Sequence, residues 1–324
     1  MTILTKLTKK EFSDLLKDYN IGNYRSHKHV ECALGNTNYI LKTAKGKFIF
    51  KIFEQDDKKS VRYQLDIEEF LNRKGIDIPK IIFTKKGKDI LALKNKPAAV
   101  YKFVPGTHPK RFPKELVKDI AQSLAFMHEK LLKLKLRGKE DFPKANEAID
   151  FSIKKYRIKP PDYVSEQCKK VNEELKKINY KLLKKSIIHS DLSDMNFLVE
   201  KNKLKAFLDW GDAHRDFLVH DMAILLKDIF IRPDKIKKDK ITLFMKNYQK
   251  IIKLSNEEKK ALLIFIKVAL LCEILWEEWQ KEKHPDKVKE LGKSIKKGIK
   301  RYKLVDGLSS REFLCITDSK RKSL

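Results

Sequence analysis

The residues best suited to chemistry lie close together. The chain reads Ile187-Ile188-His189-Ser190-Asp191-Leu192-Ser193-Asp194-Met195-Asn196-Phe197-Leu198-Val199, and after Lys201-Asn202-Lys203 it continues Leu204-Lys205-Ala206-Phe207-Leu208-Asp209-Trp210-Gly211-Asp212. The two apolar runs around the turn-like Lys201-Asn202-Lys203 predict a short β-hairpin. Folding it back brings Asp209 toward Asn196 and the loop that holds Asp191. Two carboxylates sharing a small volume are costly unless a cation sits between them. One carboxylate and one amide, with coordination positions left open, suit Mg²⁺ carrying a polyphosphate, so Asn196 and Asp209 are the candidate metal ligands. Asp191 is then free to take a proton from an attacking hydroxyl. The implied chemistry is phosphoryl transfer.

His-x-Asp is common in loops, and an Asp ending a strand is often only a turn former. The combination is more specific: Asp191, Asn196 five residues on, an apolar strand before them, a hairpin after them, and Asp209-x-Gly211 at its end. Protein kinases use the same order of parts. Together with Asp221-Met222-Ala223 downstream, these motifs resemble the aminoglycoside phosphotransferase and choline kinase family. Ser190 after His189, where most protein kinases carry Arg, and the lack of an Ala-Pro-Glu segment favour this small-molecule branch. The resemblance implies a two-lobed, protein-kinase-like α+β fold, ATP and Mg²⁺ as cofactors, and a small hydroxyl compound as acceptor. It also implies that Asp221 anchors the catalytic loop.

Upstream, Thr8-Lys9-Lys10-Glu11 is a capping box that opens a helix. Strands are predicted over 25–34, 38–43 and 47–53, the last two joined by the turn Ala44-Lys45-Gly46. The turn Leu34-Gly35-Asn36-Thr37-Asn38 is the candidate cover for nucleotide phosphates, with Gly35 allowing close backbone approach. Lys51 in Phe48-Ile49-Phe50-Lys51-Ile52-Phe53 shares a strand face with Ile49 and Phe53 and is the candidate grip on the phosphates. On the following helix, 58–73, Glu68 falls within the stripe of Val61, Leu65 and Leu71 and is the candidate partner of Lys51. Gln64, one turn earlier, shares its face. Extended backbone at Lys102, Phe103 and Val104 before Pro105-Gly106 is the candidate adenine contact.

After residue 113 the pattern is mostly helical, with helices expected over 114–131, 163–183, 221–230, 241–254 and 256–281. This places a boundary between a nucleotide-binding β lobe, 1–103, and a catalytic and acceptor-binding helical lobe, 104–324. Tyr19-Asn20-Ile21-Gly22, Gly35-Asn36-Thr37-Asn38-Tyr39, Gly46-Lys47-Phe48-Ile49, Pro97-Ala98-Ala99 and Trp276 extend the likeness toward the homoserine kinases of this fold. In that branch the helix corresponding to 261–276 carries arginines; here Lys267 is the only base before Trp276, and a Lys is the available substitute. Homoserine is therefore the first expected acceptor. Aminoglycosides, choline or ethanolamine, and sugars are alternatives.

The 324 residues carry 73 Lys and Arg against 44 Asp and Glu, a formal net charge of +29. That charge raises the possibility of an RNA or ribosomal partner. The excess is mostly Lys spread along the chain, in the manner of solvated helix faces, so nucleic acid is not the favoured partner. The same positive field draws in ATP. No apolar run has the length of a membrane span, and the apolar stretch 1–7 is too short for a secretion signal. Cys32, Cys168, Cys272 and Cys315 lack metal-ligand spacing and are expected as reduced thiols in a cytoplasmic protein.

Overall fold

The computed structural model describes residues 5–30, 35–136 and 142–318. The chain divides into two compact units. The first runs to Thr107 and also takes Leu198–Glu200 and Lys205–Gly211; the second comprises His108–Phe197, Lys201–Leu204 and the chain from Asp212 on. A single cut at residue 103 therefore differs from the observed division, because part of the hairpin after the Asp191 loop joins the N-terminal unit. Antiparallel bridging explains this: Thr107 N donates to Val199 O (3.0 Å), Val199 N to Thr107 O (2.9 Å), and Phe207 N to Asp77 O (2.8 Å).

In the first unit, α1 (Lys9–Leu16) starts at the expected capping box, where Thr8 and Glu11 satisfy each other's backbone amides. The sheet follows, with β1 (Tyr24–His29), β2 (Asn36–Thr43), β3 (Gly46–Phe53), β4 (Ile81–Ile82), β5 (Leu91–Leu93) and β6 (Lys96–Lys102). Its order is β1-β2-β3-β6-β4, with β5 also on β6. The helix α2 (Lys58–Arg73), capped by Asp57, lies between β3 and β4 in sequence. The period-two alternation of β3 divides its side chains between two cores. Phe48, Phe50 and Ile52 join Phe12, Leu16, Tyr39 and Leu41 on one side. Ile49 and Phe53 pack with Val61, Leu65, Ala99 and Tyr101 on the other. Lys51 belongs to the parity of this second face.

The second unit is built from α3 (Lys114–Leu131), α4 (Ala148–Tyr156), α5 (Asp162–Lys176), β7 (Lys185–Ile188), β10 (His214–Phe217), α6 (Leu218–Phe230), α7 (Lys238–Tyr248), α8 (Asn256–Lys283), α9 (Val288–Asp306) and α10 (Ser310–Thr317). Between β7 and β10 the chain forms the predicted hairpin, β8 (Phe197–Glu200) and β9 (Lys203–Phe207). The 28-residue α8 starts at a Ser255–Glu258 capping box and is buried along most of its length. Helix α9 approaches it closely at Gly298, where a Cβ would lie 2.8 Å from Ile274 Cγ1. Strand β10 pairs antiparallel with β7, opposing His214 to Ile188 and Asp216 to Ser186. Cys168, Cys272 and Cys315 are free thiols, and Cys32 lies outside the described residues. No helix among the described residues is long and apolar enough to cross a membrane.

Candidate active site

The Asp191 loop is held by two carboxylates seven residues apart on α6, a spacing that puts both on one helix face. Asp221, fully buried, accepts the backbone N–H of His189 (2.8 Å) and of Ser190 (2.7 Å). Its Oδ2 also lies 3.0 Å from His128 Nε2, whose other ring nitrogen is 2.8 Å from Tyr248 Oη. Burial would raise the Asp221 pKa, but hydrogen bonding and charge from His128, with His189, hold it below the usual value. Asp221 thus anchors the loop, more than the favourable dipole position that its place in the first turn of α6 suggests. Asp228 accepts the N–H of Asp194 (3.0 Å) at the far end of the loop. Burial and the charge of Asp228 raise the pKa of Asp194.

Between these anchors the chemistry-bearing residues brace one another. Asn196 Nδ2 donates to Asp191 O and to Asp191 Oδ2, both at 2.7 Å. One carboxylate oxygen is thereby fixed, and Asp191 Oδ1 takes no part in the clasp. With both bonds made through its nitrogen, Asn196 keeps Oδ1 as its hard-oxygen donor. Asp191 N points to His189 Nδ1 at 3.3 Å, and His189 is wholly buried, which fits a loop prop. Ser190, just before the catalytic candidate, holds φ +68. Such a non-glycine conformation costs roughly 1–3 kcal/mol and persists only where surrounding bonds enforce it.

The lysine cluster lies in the first unit. Lys51 faces Asn38 on β2 and Ala99 on β6, is 8% exposed, and pairs through Nζ with Asp209 Oδ1 at 3.0 Å. Asp209 itself sits at φ +60, and its side chain is 45% exposed. The expected ion pair of Lys51 with Glu68 is replaced by this one. Glu68 Oε1 instead accepts from Gln64 Nε2 at 2.7 Å, and both side chains are buried. Burial pushes the Glu68 carboxyl up to about 7, against the hydrogen bond from Gln64 and the charge of Lys51. Gln64 Oε1 also borders Gly211, 3.9 Å from where a Cβ would stand.

The remaining nucleotide candidates divide. Gly35 is left-handed at φ +77 and open, as a close-approach glycine requires. The expected turn does not extend through the three residues after it: Asn36, Thr37 and Asn38 are already strand, paired with Phe53, Ile52 and Lys51. Thr37 is buried and donates to Glu54 Oε1 at 2.5 Å, so its hydroxyl serves the sheet. Leu34 lies outside the described residues. At the adenine candidate, β6 ends at Lys102, and two amides are committed: Lys102 N to Lys80 O (2.8 Å) and Phe103 N to Lys47 O (3.3 Å). Val104 N–H is the next donor along the chain, with no acceptor among the described residues. In α8, Lys267 is bound by both Glu174 oxygens (2.9 and 3.0 Å) and by Asp306 (3.0 Å), which removes it as a substitute for a substrate-facing arginine.

Sequence reasoning missed Asp228, His128 and Tyr248 as braces of the loop. The seven-residue spacing of Asp221 and Asp228 was the available signal; the other two are joined only by packing. Among the described residues no three His, Cys, Asp or Glu side chains converge as a metal site.

A family model described as the phosphotransferase enzyme family, APH, matches residues 31–239. A homoserine kinase of Bradyrhizobium diazoefficiens is 24% identical over 276 residues, covering 81% of each chain. One from Paramagnetospirillum magneticum is 27% identical over 280 residues, covering 81% of this chain and 83% of that one. Among solved structures, an amicoumacin kinase in complex with AMP-PNP and Ca²⁺ superposes with a TM-score of 0.72 at 15% identity, over 94% of this chain and 95% of that one. A microcompartment-associated aminopropanol kinase gives 0.65 at 14%, over 96% and 100%. The expected protein-kinase-like α+β fold is therefore the observed one. With more than half its length matched by the family model, the chain belongs to the phosphotransferase enzyme (APH) family and has the fold of a small-molecule kinase.

Proposed function

We propose that this protein transfers the γ-phosphoryl group of ATP to the hydroxyl of a small molecule, homoserine first, in the cytoplasm. The observation that carries this reading is the Asp191–Asn196 clasp, which fixes one Asp191 oxygen and leaves the other for the acceptor. Asp191 orients the hydroxyl and takes its proton as that oxygen bonds to phosphorus and ADP departs. In a loose transition state its positioning contributes as much as its basicity. Asn196 Oδ1 and Asp209 are the residues assigned to Mg²⁺, which when bound neutralises charge on the phosphates. Lys51 exchanges Asp209 for the phosphates and holds fixed positive charge there. The left-handed Gly35 lets backbone approach the phosphates, and Val104 N–H is the donor offered to adenine.

Homoserine is favoured by the relatives named homoserine kinases, which match over four-fifths of the chain. An amine-bearing alcohol without a carboxylate is the second reading. The internal commitment of Lys267 favours it, because that base is not offered to a substrate carboxylate. A phosphate-transfer screen with Mg-ATP separates the two, offering homoserine, choline, ethanolamine, aminopropanol, sugars and aminoglycosides. The Asp191→Asn variant is expected to lose about a thousandfold in kcat. Turnover of any acceptor that survives this change overturns the assignment of Asp191. For an RNA partner, a shallow salt dependence of RNA retention dismisses the idea.

A further inference from the structure

The motif Tyr19-Asn20-Ile21-Gly22, part of the family likeness, has no role in the chemistry above. Its Tyr19, Asn20 and Gly22 line a cavity of about 490 Å³ in the first unit, together with α1, the turn between β2 and β3, and Lys85. Gly22 stands at φ +83, and a Cβ there would lie 3.0 Å from Lys45 N and 3.1 Å from Lys45 Cγ. Glycine is thus what lets the β2–β3 turn close over this segment and fixes the root of Lys45 at the cavity wall.

The charges in this wall are held in an unusual way for this molecule. Lys45 Nζ is bound by Asn20 Oδ1 (2.9 Å) and Asn20 O (3.3 Å), and Lys85 Nζ by Lys17 O (2.8 Å). All three acceptors are neutral. The third ammonium, on Lys17, is paired with Asp14 at 2.7 Å, as most lysines bound to side chains elsewhere are paired with acids. Lys45 and Lys85 are therefore oriented by hydrogen bonds but keep their full charge. On the same wall the backbone N–H groups of Gly22 and Asn23 have no acceptor among the described residues. No carboxylate lines the cavity. Two oriented cations, and two adjacent amides on lining residues with no acceptor among the described residues, offer a donor set for an anion, with lysine acting as a point charge.

We propose that this cavity is a binding site for a small multivalent anion of the phosphate class, held by Lys45, Lys85 and the Gly22–Asn23 amides and separate from the Lys51 cluster. Pyrophosphate is the probe, titrated calorimetrically into the full-length protein at low ionic strength, where screening is weakest. Because the proposed function gives Lys51 its own phosphate contact, wild type is expected to show two classes of site, and Lys51→Gln to keep the one at this cavity. The double variant Lys45→Gln/Lys85→Gln is expected to bind about tenfold more weakly or worse. Both lysines are exposed, and a melting temperature equal to wild type checks that the double variant is folded. Replacing only Asn20 by Ala, which frees Lys45 while keeping its charge, is expected to weaken binding by a smaller factor. Unchanged affinity in the double variant, or a loss that follows Lys51→Gln instead, overturns the proposal. Succinate binding as tightly as pyrophosphate overturns the assignment to the phosphate class.

Discussion

The loop of Asp191 and the cluster around Lys51, each given a role in the proposed function, are stabilised in opposite ways. A buried and a half-buried carboxylate on a single helix grip the loop by its backbone, and Asn196 clasps Asp191 directly. Every bond in that set is short-range or reaches one rigid element. In the cluster, the cation and the most deeply buried acid are not joined: Lys51 pairs with Asp209, while Glu68 bonds to Gln64. On the proposed function, a polyphosphate arriving there competes with Asp209 for Lys51. On that reading the loop is preorganised before any ligand binds, and the cluster is completed by an exchange of partners.

The largest effect that tests this contrast is the loss of the loop's anchor. Asp221→Ala leaves the N–H groups of His189 and Ser190, and His128, without their buried acceptor. Stability is expected to fall by about 3–5 kcal/mol, read from urea unfolding, and activity to fall even at temperatures where the variant is folded. A folded Asp221→Ala protein with unchanged kcat removes the claim that anchoring sets the loop.

In the cluster, the expected signature is a pH dependence. Burial raises the Glu68 carboxyl from 4.5 to about 7, so the native state retains a proton that the unfolded chain releases between those values. Its contribution is most favourable below pH 4.5 and is lost as pH rises through 7, a change of about 3 kcal/mol. Glu68→Gln removes that slope. Urea midpoints at pH 5 and pH 8 should converge in the variant relative to wild type; parallel profiles mean that Glu68 is solvated or charged in the native state. Lys51→Met acts on function instead, with kcat/KM for ATP expected to fall about a hundredfold. A change confined to the acceptor's KM places Lys51 outside the nucleotide site.

The same contrast decides how much could be read from the chain. The contact of Asp191 with Asn196 and the hairpin after it were legible because their spacing is local, as was the Thr8–Glu11 capping box; the bounds of α2 and α3 followed from their apolar stripes. The partner of Lys51 was not legible, because 158 residues separate it from Asp209 and strand parity says only which face it shares. Helix α9 escaped notice because its core face is thin: Ile295, Gly298, Arg301, Tyr302 and Val305 are buried, amid lysines that read as solvated surface. Strand β10, His214-Arg215-Asp216-Phe217, has no apolar alternation, and its pairing with β7 is set by tertiary contacts. The membership of the hairpin was hidden for a related reason: Leu198–Glu200 and Lys205–Gly211 fold with residues that precede them by about a hundred positions.

The smallest effect offers the sharpest discrimination. Gly35 combines φ +77 with a Cβ position that meets no atom within 4 Å. Gly35→Ala therefore carries a backbone cost alone, about 1 kcal/mol, visible as a small drop in melting temperature. If Gly35 serves only its turn, KM for ATP stays at the wild-type value once the protein is folded. If backbone there approaches the phosphates, the added methyl group occupies the space they need, and KM rises beyond anything the stability loss explains. Measuring both in one variant separates strain in the chain from crowding at the nucleotide, and an unchanged KM removes Gly35 from the phosphate-binding set.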